Sequence, residues 1–286
     1  MVALLPISVS SQQVVPEDLR CMPVLIEIPL HDGGKVSYGT GVYLAESNKM
    51  FLATAAHCIF NISSTNRSEL INSTATLSAF TRGNITATKS FLLLDLTELR
   101  DHGLIKRHPT HDVTVIQIAT NVAKGTDDGL LVFSKGAVAL TSVPLVGWQT
   151  TDATIHSSDI PSASDIYILG YPVELLADQK QSQVDFNSPL IRKGILSQKN
   201  TQTGKLIVDS GVYGGNSGGP VLVIQHPSFS VTSFKIGALI TQFVPVFTRI
   251  NPQEGITNSV LVNSGYGVAE PIEYALELIR QEDITP

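Results

Sequence analysis

The sequence predicts an all-β fold in two lobes, followed by a C-terminal α-helix. Three observations support this prediction. Short apolar runs alternate with glycine, asparagine, aspartate and serine, a pattern typical of strands and turns. The runs occur in two groups, and a turn-rich stretch separates them at about 126–164. Near the C-terminus, Pro271 precedes apolar residues at helical spacing, and proline suits a first helical turn.

The first group of runs predicts strands in the N-terminal lobe, and the second predicts strands in the C-terminal lobe. The predicted strands lie at 24–28, 41–44, 51–55 and 113–118, and then at 166–169, 191–196, 206–208, 221–224 and 236–244. The terminal helix buries one face, formed by Ile272, Leu276 and Ile279. We therefore expect an N-terminal segment, a first lobe, a connecting segment and a second lobe with the helix, at 1–20, 21–125, 126–164 and 165–286.

Charge and composition exclude several classes of partner. The chain has 286 residues, with 19 lysines and arginines against 25 aspartates and glutamates, so its formal net charge is −6. This balance predicts no nucleic-acid partner and no membrane partner. No stretch reaches the roughly 20 apolar residues of a membrane-spanning helix. The first residues lack the positive charge and cleavage site of a secretory signal, so we expect a cytoplasmic protein.

The cysteines and histidines predict no cofactor and no metal. Cys21 and Cys58 are too few for a disulfide framework, and they could form one bridge, two buried thiols or part of a metal site. We favour free thiols. His102, His108 and His111 cluster in sequence, but no Cys/His set completes a tetrahedral site, so a solvated loop is the preferred interpretation.

A glycine-dense segment, Gly214-Gly-Asn-Ser-Gly-Gly-Pro220, contains a single hydroxyl group. Glycine adopts backbone angles that other residues resist, and it lets N–H groups converge on one point. Such convergence stabilises the oxyanion of acyl transfer. In this interpretation Ser217 is the nucleophile, and the N–H groups of Gly215 and Ser217 form the oxyanion hole. The alternative is an ordinary glycine-rich hairpin turn.

A serine nucleophile needs a general base and a group that orients this base. His57 ends an apolar run, where an imidazole could emerge from a strand terminus. Asp112 opens another apolar run, from which a carboxylate could hold the imidazole through Nδ1–H. Each residue alone is more often structural, the histidine as a hydrogen-bonded residue and the aspartate as a turn residue.

Together these segments resemble the trypsin/chymotrypsin superfamily of serine proteases. Thr54-Ala-Ala-His-Cys58, Asp112-Val-Thr-Val-Ile116 and Gly215-Asn-Ser-Gly-Gly-Pro220 match its three motifs, in its order of His, Asp and Ser. The resemblance implies two six-stranded antiparallel β-barrels. It also implies a serine endopeptidase with His57, Asp112 and Ser217 as the catalytic triad, acting on protein or peptide substrates.

Within this superfamily the pattern is most similar to bacterial HtrA-like peptidase domains, through Gly39-Thr-Gly-Val-Tyr-Leu44 and Ile168-Leu-Gly-Tyr-Pro172. We expect no PDZ domain, because few residues follow the predicted helix. Asn216 replaces the aspartate that binds the new N-terminus of secreted trypsins, so activation by that ion pair is not expected. Glycines at 39 and 41 occupy the strand that usually supplies the partner of Cys58.

The resemblance also suggests which residues contact substrate. In the family an acidic residue six positions before the serine selects arginine or lysine before the scissile bond, and here that position is Gly211. Basic specificity is therefore not predicted. The segment 237–242 resembles the strand that walls the pocket and pairs with substrate. Its side chains indicate a small or medium apolar preference, and the predicted substrate-binding residues are Gly211, Ala238, Leu239, Ile240 and Gln242.

Two further functions remain open from the sequence. The chain could be a latent protease that a partner or ligand activates by ordering the loop at 213–216. It could also be an inactive protease-fold binding module. Tyr213, just before the oxyanion segment, could line a pocket or simply pack against its strand.

Overall fold

The computed structural model describes residues 15–30, 34–61, 69–81, 88–122, 130–141, 145, 147–176, 185, 187–228, 231–250 and 258–281. They form two β-lobes and short helices. The strands of the first lobe are β1 Pro23–Pro29, β2 Val36–Glu46, β3 Lys49–Thr54, β4 Thr74–Ala79, β5 Ser90–Asp95, β6 Ile105–Arg107, β7 Thr114–Val122, β8 Leu130–Phe133, β9 Ala137–Ala139 and β10 Trp148–Gln149.

The second lobe is a closed barrel of six strands in the order β11-β12-β13-β16-β15-β14. Its strands are β11 Asp165–Gly170, β12 Leu190–Lys199, β13 Leu206–Asp209, β14 Pro220–Ser228, β15 Val231–Ile250 and β16 Asn258–Pro271. The helices are α1 Glu17–Arg20, α2 Leu96–Asp101, α3 Thr150–Ala153 and α4 Glu273–Arg280. Every pair within this barrel is antiparallel, so short connections suffice between most neighbouring strands.

The first lobe is a ten-stranded sheet rather than a closed barrel of six strands. Its main path runs β6-β7-β3-β2-β1-β4-β5-β9, with β8 on β7 and β10 on β2. Among the described strands, the path ends at β6 and β9 without a pair between them, and β9 occupies the edge of β5 opposite β4. Asp95 caps α2, which lies between β5 and β6 in the chain, by accepting a 2.9 Å hydrogen bond from the N–H of Glu98.

Part of the segment expected to connect the lobes belongs to the first sheet. Strands β8, β9 and β10 all lie between residues 126 and 164, and they pair with β7, β5 and β2. In β9, Ala137 is buried in the core of the first lobe while Val138 is exposed, as expected for an edge strand with one buried face. The rest of this segment, with α3, leads into the second lobe.

Three clusters of buried apolar side chains hold the fold together. One fills the first lobe, and one fills the second-lobe barrel. The third lies between the lobes and includes Val42 of β2, Leu169 of β11 and Leu278 of α4. Strand β2 therefore buries both faces, since Tyr43 points into the first lobe while Val42 points to the interface. This shared core sets how the two halves of the site meet.

The all-β prediction with two lobes and a terminal helix is confirmed: a closed six-stranded barrel and a half-barrel sheet are consistent with a chymotrypsin-like double-barrel fold. Helix α4 buries the predicted face, with Ile272, Leu276 and Ile279 all at most 8% exposed. Cys21 and Cys58 are both buried and form no disulfide. Within the described part of the chain, no helix has the length and apolar content needed to cross a membrane.

Candidate active site

The first lobe places His57 and Asp112 in contact. His57 lies in one turn of 3₁₀-helix, Ala56–Cys58, directly after β3, and Asp112 lies between β6 and β7. The Nδ1 of His57 is 2.6 Å from Oδ2 of Asp112. The backbone N–H of His57 also donates to Oδ1 of the same carboxylate, at 3.0 Å. One carboxylate therefore fixes both the ring and the main chain of this histidine.

The charge state of Asp112 follows from its surroundings. Burial acts to raise the pKa of this carboxyl, but the ring, charge and backbone N–H of His57, together with the charge of Lys205, lower the pKa overall. Asp112 is therefore ionised at neutral pH and can only accept hydrogen bonds. Nδ1 of His57 must then carry the proton, which leaves Nε2 of the neutral ring free to accept one.

Glu270 of β16, in the second lobe, holds the backbone of Asp112. Its carboxylate is fully buried, and Oε1 accepts a 3.3 Å hydrogen bond from the N–H of Asp112. Lys205 and His111 lie 3.1 Å and 2.9 Å from its two oxygens. A buried carboxylate is stable only when it is paired and hydrogen-bonded, and these neighbours meet that need. Residues of both lobes thus hold Asp112 and Glu270 in place.

Ser217 lies in the loop between β13 and β14, against the turn that contains His57. Its carbonyl accepts hydrogen bonds from the N–H of Thr40 at 2.8 Å and from Sγ of Cys58 at 3.4 Å. The serine hydroxyl donates to the carbonyl of Thr241 at 3.2 Å. The Ser217 hydroxyl makes no other hydrogen bond with the described residues, so in this structure it is not bonded to the imidazole of His57.

Hydrogen bonds fix the orientation of two peptide units in the glycine-dense segment. All described peptides are trans, so each N–H points away from the carbonyl of the same peptide unit. The carbonyl of Gly214 accepts from the N–H of Glu174, and that of Asn216 accepts from the N–H of Gly219. The N–H groups of Gly215 and Ser217 consequently point the other way. Neither donates to another described residue.

Glycine is required at two positions of this loop. Gly215 has φ +95°, and a Cβ there would lie 2.3 Å from the carbonyl oxygen of Tyr171. Gly218 has φ +84°, and a Cβ there would lie 2.0 Å from the carbonyl oxygen of Thr40. Both conformations are strained for any other residue, and both sites lack room. The glycine density therefore reflects the tight apposition of this loop to β2 and to the end of β11.

Thr40 and Glu174 hold the loop, and sequence reasoning assigned neither a role. Thr40 is fully buried on β2, and its hydroxyl donates to the carbonyl of Gly215 at 2.6 Å while accepting from the N–H of Tyr171 at 3.1 Å. The carboxylate of Glu174 accepts from the N–H of Gly214 at 2.6 Å. Thr40 stands between two glycines in the sequence, which could have indicated a role in close packing. The sequence around Glu174 contains no such sign.

Asn216 lies where secreted trypsins have the aspartate of their activating ion pair. Its side chain is fully buried, and neither polar atom of the amide has a hydrogen-bond partner in the part of the chain that the structure describes. The Oδ1 atom lies beside Gly170, 3.0 Å from the place that a Cβ would occupy there. The loop is instead fixed by the bonds from Glu174 and Thr40, which need no free N-terminus.

The predicted substrate-binding residues fall into two groups. Ala238, Leu239 and Ile240 have fully buried side chains in the barrel core and the interface, and β14 and β16 flank this part of β15 on both edges. These three residues therefore offer neither side chains nor a free edge. Gln242 is exposed, beyond the end of that β14 pairing. Gly211 lies against the ring of Tyr213. A Cβ added at Gly211 would be 3.2 Å from the hydroxyl oxygen of Tyr213.

Comparison with known proteins agrees with this geometry. A double-barrel fold with a His57–Asp112 pair against a glycine-bounded serine defines a protein of the chymotrypsin-like class. A family model for the trypsin-like peptidase domain matches residues 39–226, so the chain belongs to this family. The predicted superfamily is thereby confirmed.

Individual relatives are distant. No curated protein matches this chain. Among solved structures 204 chains match, and one of them is the HtrA-type protease AlgW with a tripeptide. It is 13% identical with a TM-score of 0.45, and the match covers 91% of this chain. This chain spans 59% of that protein.

Proposed function

We propose that this protein is a serine endopeptidase that hydrolyses peptide bonds through an acyl-enzyme. Ser217 Oγ attacks the peptide carbonyl while Nε2 of His57 takes its proton, and Asp112 keeps the imidazole oriented. The N–H groups of Gly215 and Ser217 stabilise the oxyanion. His57 then returns the proton to the leaving amine, and water releases the acyl group through the same base.

One observation supports this proposal most strongly. The ionised Asp112 holds the imidazole of His57, with Nδ1 2.6 Å from Oδ2, beside a loop in which the N–H groups of Gly215 and Ser217 donate to no described residue. An oxyanion hole that is formed before substrate binds needs no reorganisation during the reaction. A binding module would not need this combination.

A latent protease is the second candidate, because the hydroxyl of Ser217 is bonded to Thr241 rather than to His57. Activation would then require a substrate or partner protein that turns the hydroxyl toward the imidazole. Catalytic hydrogen bonds often tighten only in the complex with substrate. The two candidates therefore differ in whether a peptide alone is enough.

A fluorophosphonate probe tests the proposal, since it labels a serine only when a base has activated it. We expect labelling of the wild type and none of Ser217→Ala. Ser264→Ala, a serine on β16, serves as the matched control and should label like the wild type. Labelling that appears only with added peptide or partner favours the latent form. Absence of labelling under all conditions contradicts both and leaves a binding module.

A further inference from the structure

Arg192 of β12 has a buried and unpaired charge. The Nε, Nη1 and Nη2 atoms of its guanidinium are all inaccessible, and none has a hydrogen-bond partner among the described residues. Arginine is almost never found in this state, because a buried cation costs several kcal/mol unless an anion pairs with it. Burial also lowers the pKa of this group. Among the described residues of the second lobe, this cation therefore has no hydrogen-bonded anion.

The position of Arg192 places this charge near the end of the barrel that faces the site. Arg192 pairs with Ile168 across β11 and β12, so the two side chains lie on the same face of the sheet. Ile168 is fully buried inside the barrel, and Arg192 therefore points inward as well. Its neighbour Lys193 points outward and pairs with Asp165 at 2.8 Å.

The contact of Arg192 with Tyr213 connects it to the predicted substrate pocket. The guanidinium carbon lies 5.4 Å from the centre of the Tyr213 ring, a cation–π distance. The same ring covers Gly211, the predicted base of the pocket for the residue before the scissile bond. Gly211 has no side chain to fill this space, and Tyr213 is only half-buried. The Tyr213 ring therefore lies against both Gly211 and the guanidinium of Arg192.

We propose that Arg192 is the specificity-determining residue of this site and binds the carboxylate of an aspartate or glutamate that precedes the scissile bond. The inference rests on the proposed function. The acidic side chain enters over Gly211, the Tyr213 ring turns aside, and the carboxylate forms a bidentate pair with the guanidinium. This preference replaces the apolar one that the sequence indicated, since Ala238, Leu239 and Ile240 do not face a pocket.

Peptides that differ at one residue test the specificity. Internally quenched peptides carrying Glu, Gln, Leu or Lys before the scissile bond are compared by kcat/KM. We expect the Glu peptide to exceed the Gln peptide by at least about 100-fold, because an uncharged analogue leaves the guanidinium unpaired. Arg192→Met should abolish this ratio while cleaving the Leu peptide, and Lys193→Met, on the opposite face, should keep it. Equal cleavage of the Glu and Gln peptides by the wild type would overturn the proposal.

A binding measurement separates this proposal from the proposed function. Calorimetry with Ser217→Ala measures the affinity for the uncleaved Glu and Gln peptides without any catalysis. Preference for Glu in this variant, lost in Ser217→Ala with Arg192→Met, supports the assignment even if the wild type cleaves nothing. Equal affinity for the two peptides contradicts it even if the wild type is an active protease. Fluorophosphonate labelling of Arg192→Met confirms that the variant retains its site.

Discussion

The two lobes hold their residues of the candidate site in different ways. In the first lobe His57 and Asp112 bind each other directly, through the ring at 2.6 Å and the backbone N–H at 3.0 Å. In the second lobe the Ser217 loop has no comparable internal pair of side chains. Its main-chain groups are held by Thr40 from β2 and by Glu174 after β11. His57 is thus held by a residue of its own lobe, whereas the Ser217 loop is held by a residue of each lobe.

This difference shows which interactions set the alignment of the site. Thr40 reaches from the first lobe to Gly215 and Ser217, and Glu270 reaches from the second lobe to Asp112. Each lobe thus supports the reactive group of the other. Because the shared core between the lobes is apolar and close-packed, a small shift in this core would misalign both halves at once.

The largest effect is expected when the local pair of the first lobe is broken. Asp112→Asn should lower kcat about 10⁴-fold, because an amide no longer enforces the Nδ1–H tautomer of His57. Asp209→Asn, an exposed aspartate at the end of β13, is the control and should retain activity. The measurement is kcat/KM on a cleaved peptide. A loss below tenfold for Asp112→Asn would show that His57 is not oriented by this carboxylate.

The second-largest effect is expected when the contact of Glu270 with Asp112, from the second lobe to the first, is removed. Glu270→Ala leaves the N–H of Asp112 without its partner and removes the counter-charge of Lys205, and we expect a loss of about 3 kcal/mol in unfolding free energy. Glu277→Ala on α4 is the control, since that carboxylate is 56% exposed beside His108 and should cost under about 1 kcal/mol. Denaturant unfolding measures both. Equal effects would mean that Glu270 has no special role.

The contact from the first lobe to the second should have a smaller effect on stability. Thr40→Val leaves the carbonyl of Gly215 and the N–H of Tyr171 unpaired, at roughly 1–3 kcal/mol, and should lower kcat more than it changes KM. Thr40→Ser should restore both. Thr150→Val is the control, because the buried hydroxyl of Thr150 has no partner and its removal should cost nothing. A drop in stability without any change in kcat would contradict a role in aligning the loop.

The smallest expected effect is the pH dependence of what Asp112 contributes to the free energy of unfolding. The folded pKa of Asp112 lies below its usual value of about 3.9. Its stabilisation is therefore complete above the unfolded pKa and is lost as the pH falls through the folded pKa. The difference in unfolding free energy between wild type and Asp112→Asn should be constant near neutral pH and shrink in acid. A difference that grows in acid would mean that the folded pKa is raised.

Sequence patterns predicted the parts of the fold that depend on short-range order. Strands β1, β3, β7 and β11 appear at the predicted apolar runs, because alternation along a strand can be seen in a few residues. Helix α2 was missed, although Asp95 and Glu98 have the spacing of a helix N-cap. Strands β8 and β9 were missed because they are short and lie among turn residues.

The candidate site divides in the same way. His57, Asp112 and Ser217 lie in recognisable local motifs, and the structure brings their segments together. Thr40 and Glu270 contact residues 175 and 158 positions away, and a single sequence contains no information about such distances. A carboxylate in the apolar run before Pro271 was the only sign of Glu270. The burial of Arg192 is likewise a property of the closed barrel and not of its local sequence.

The sulfur of Cys58 has a consequence for redox chemistry at this site. It lies 2.7 Å from the place that a Cβ at Gly39 would occupy, so the thiol fills the space that a partner side chain would take. Burial raises its pKa to about 12. Alkylation and oxidation proceed through the thiolate, which is scarce at such a pKa. We therefore expect Cys58 to react slowly with peroxide and iodoacetamide, and fluorophosphonate labelling of Ser217 to be the same in oxidising and reducing buffers.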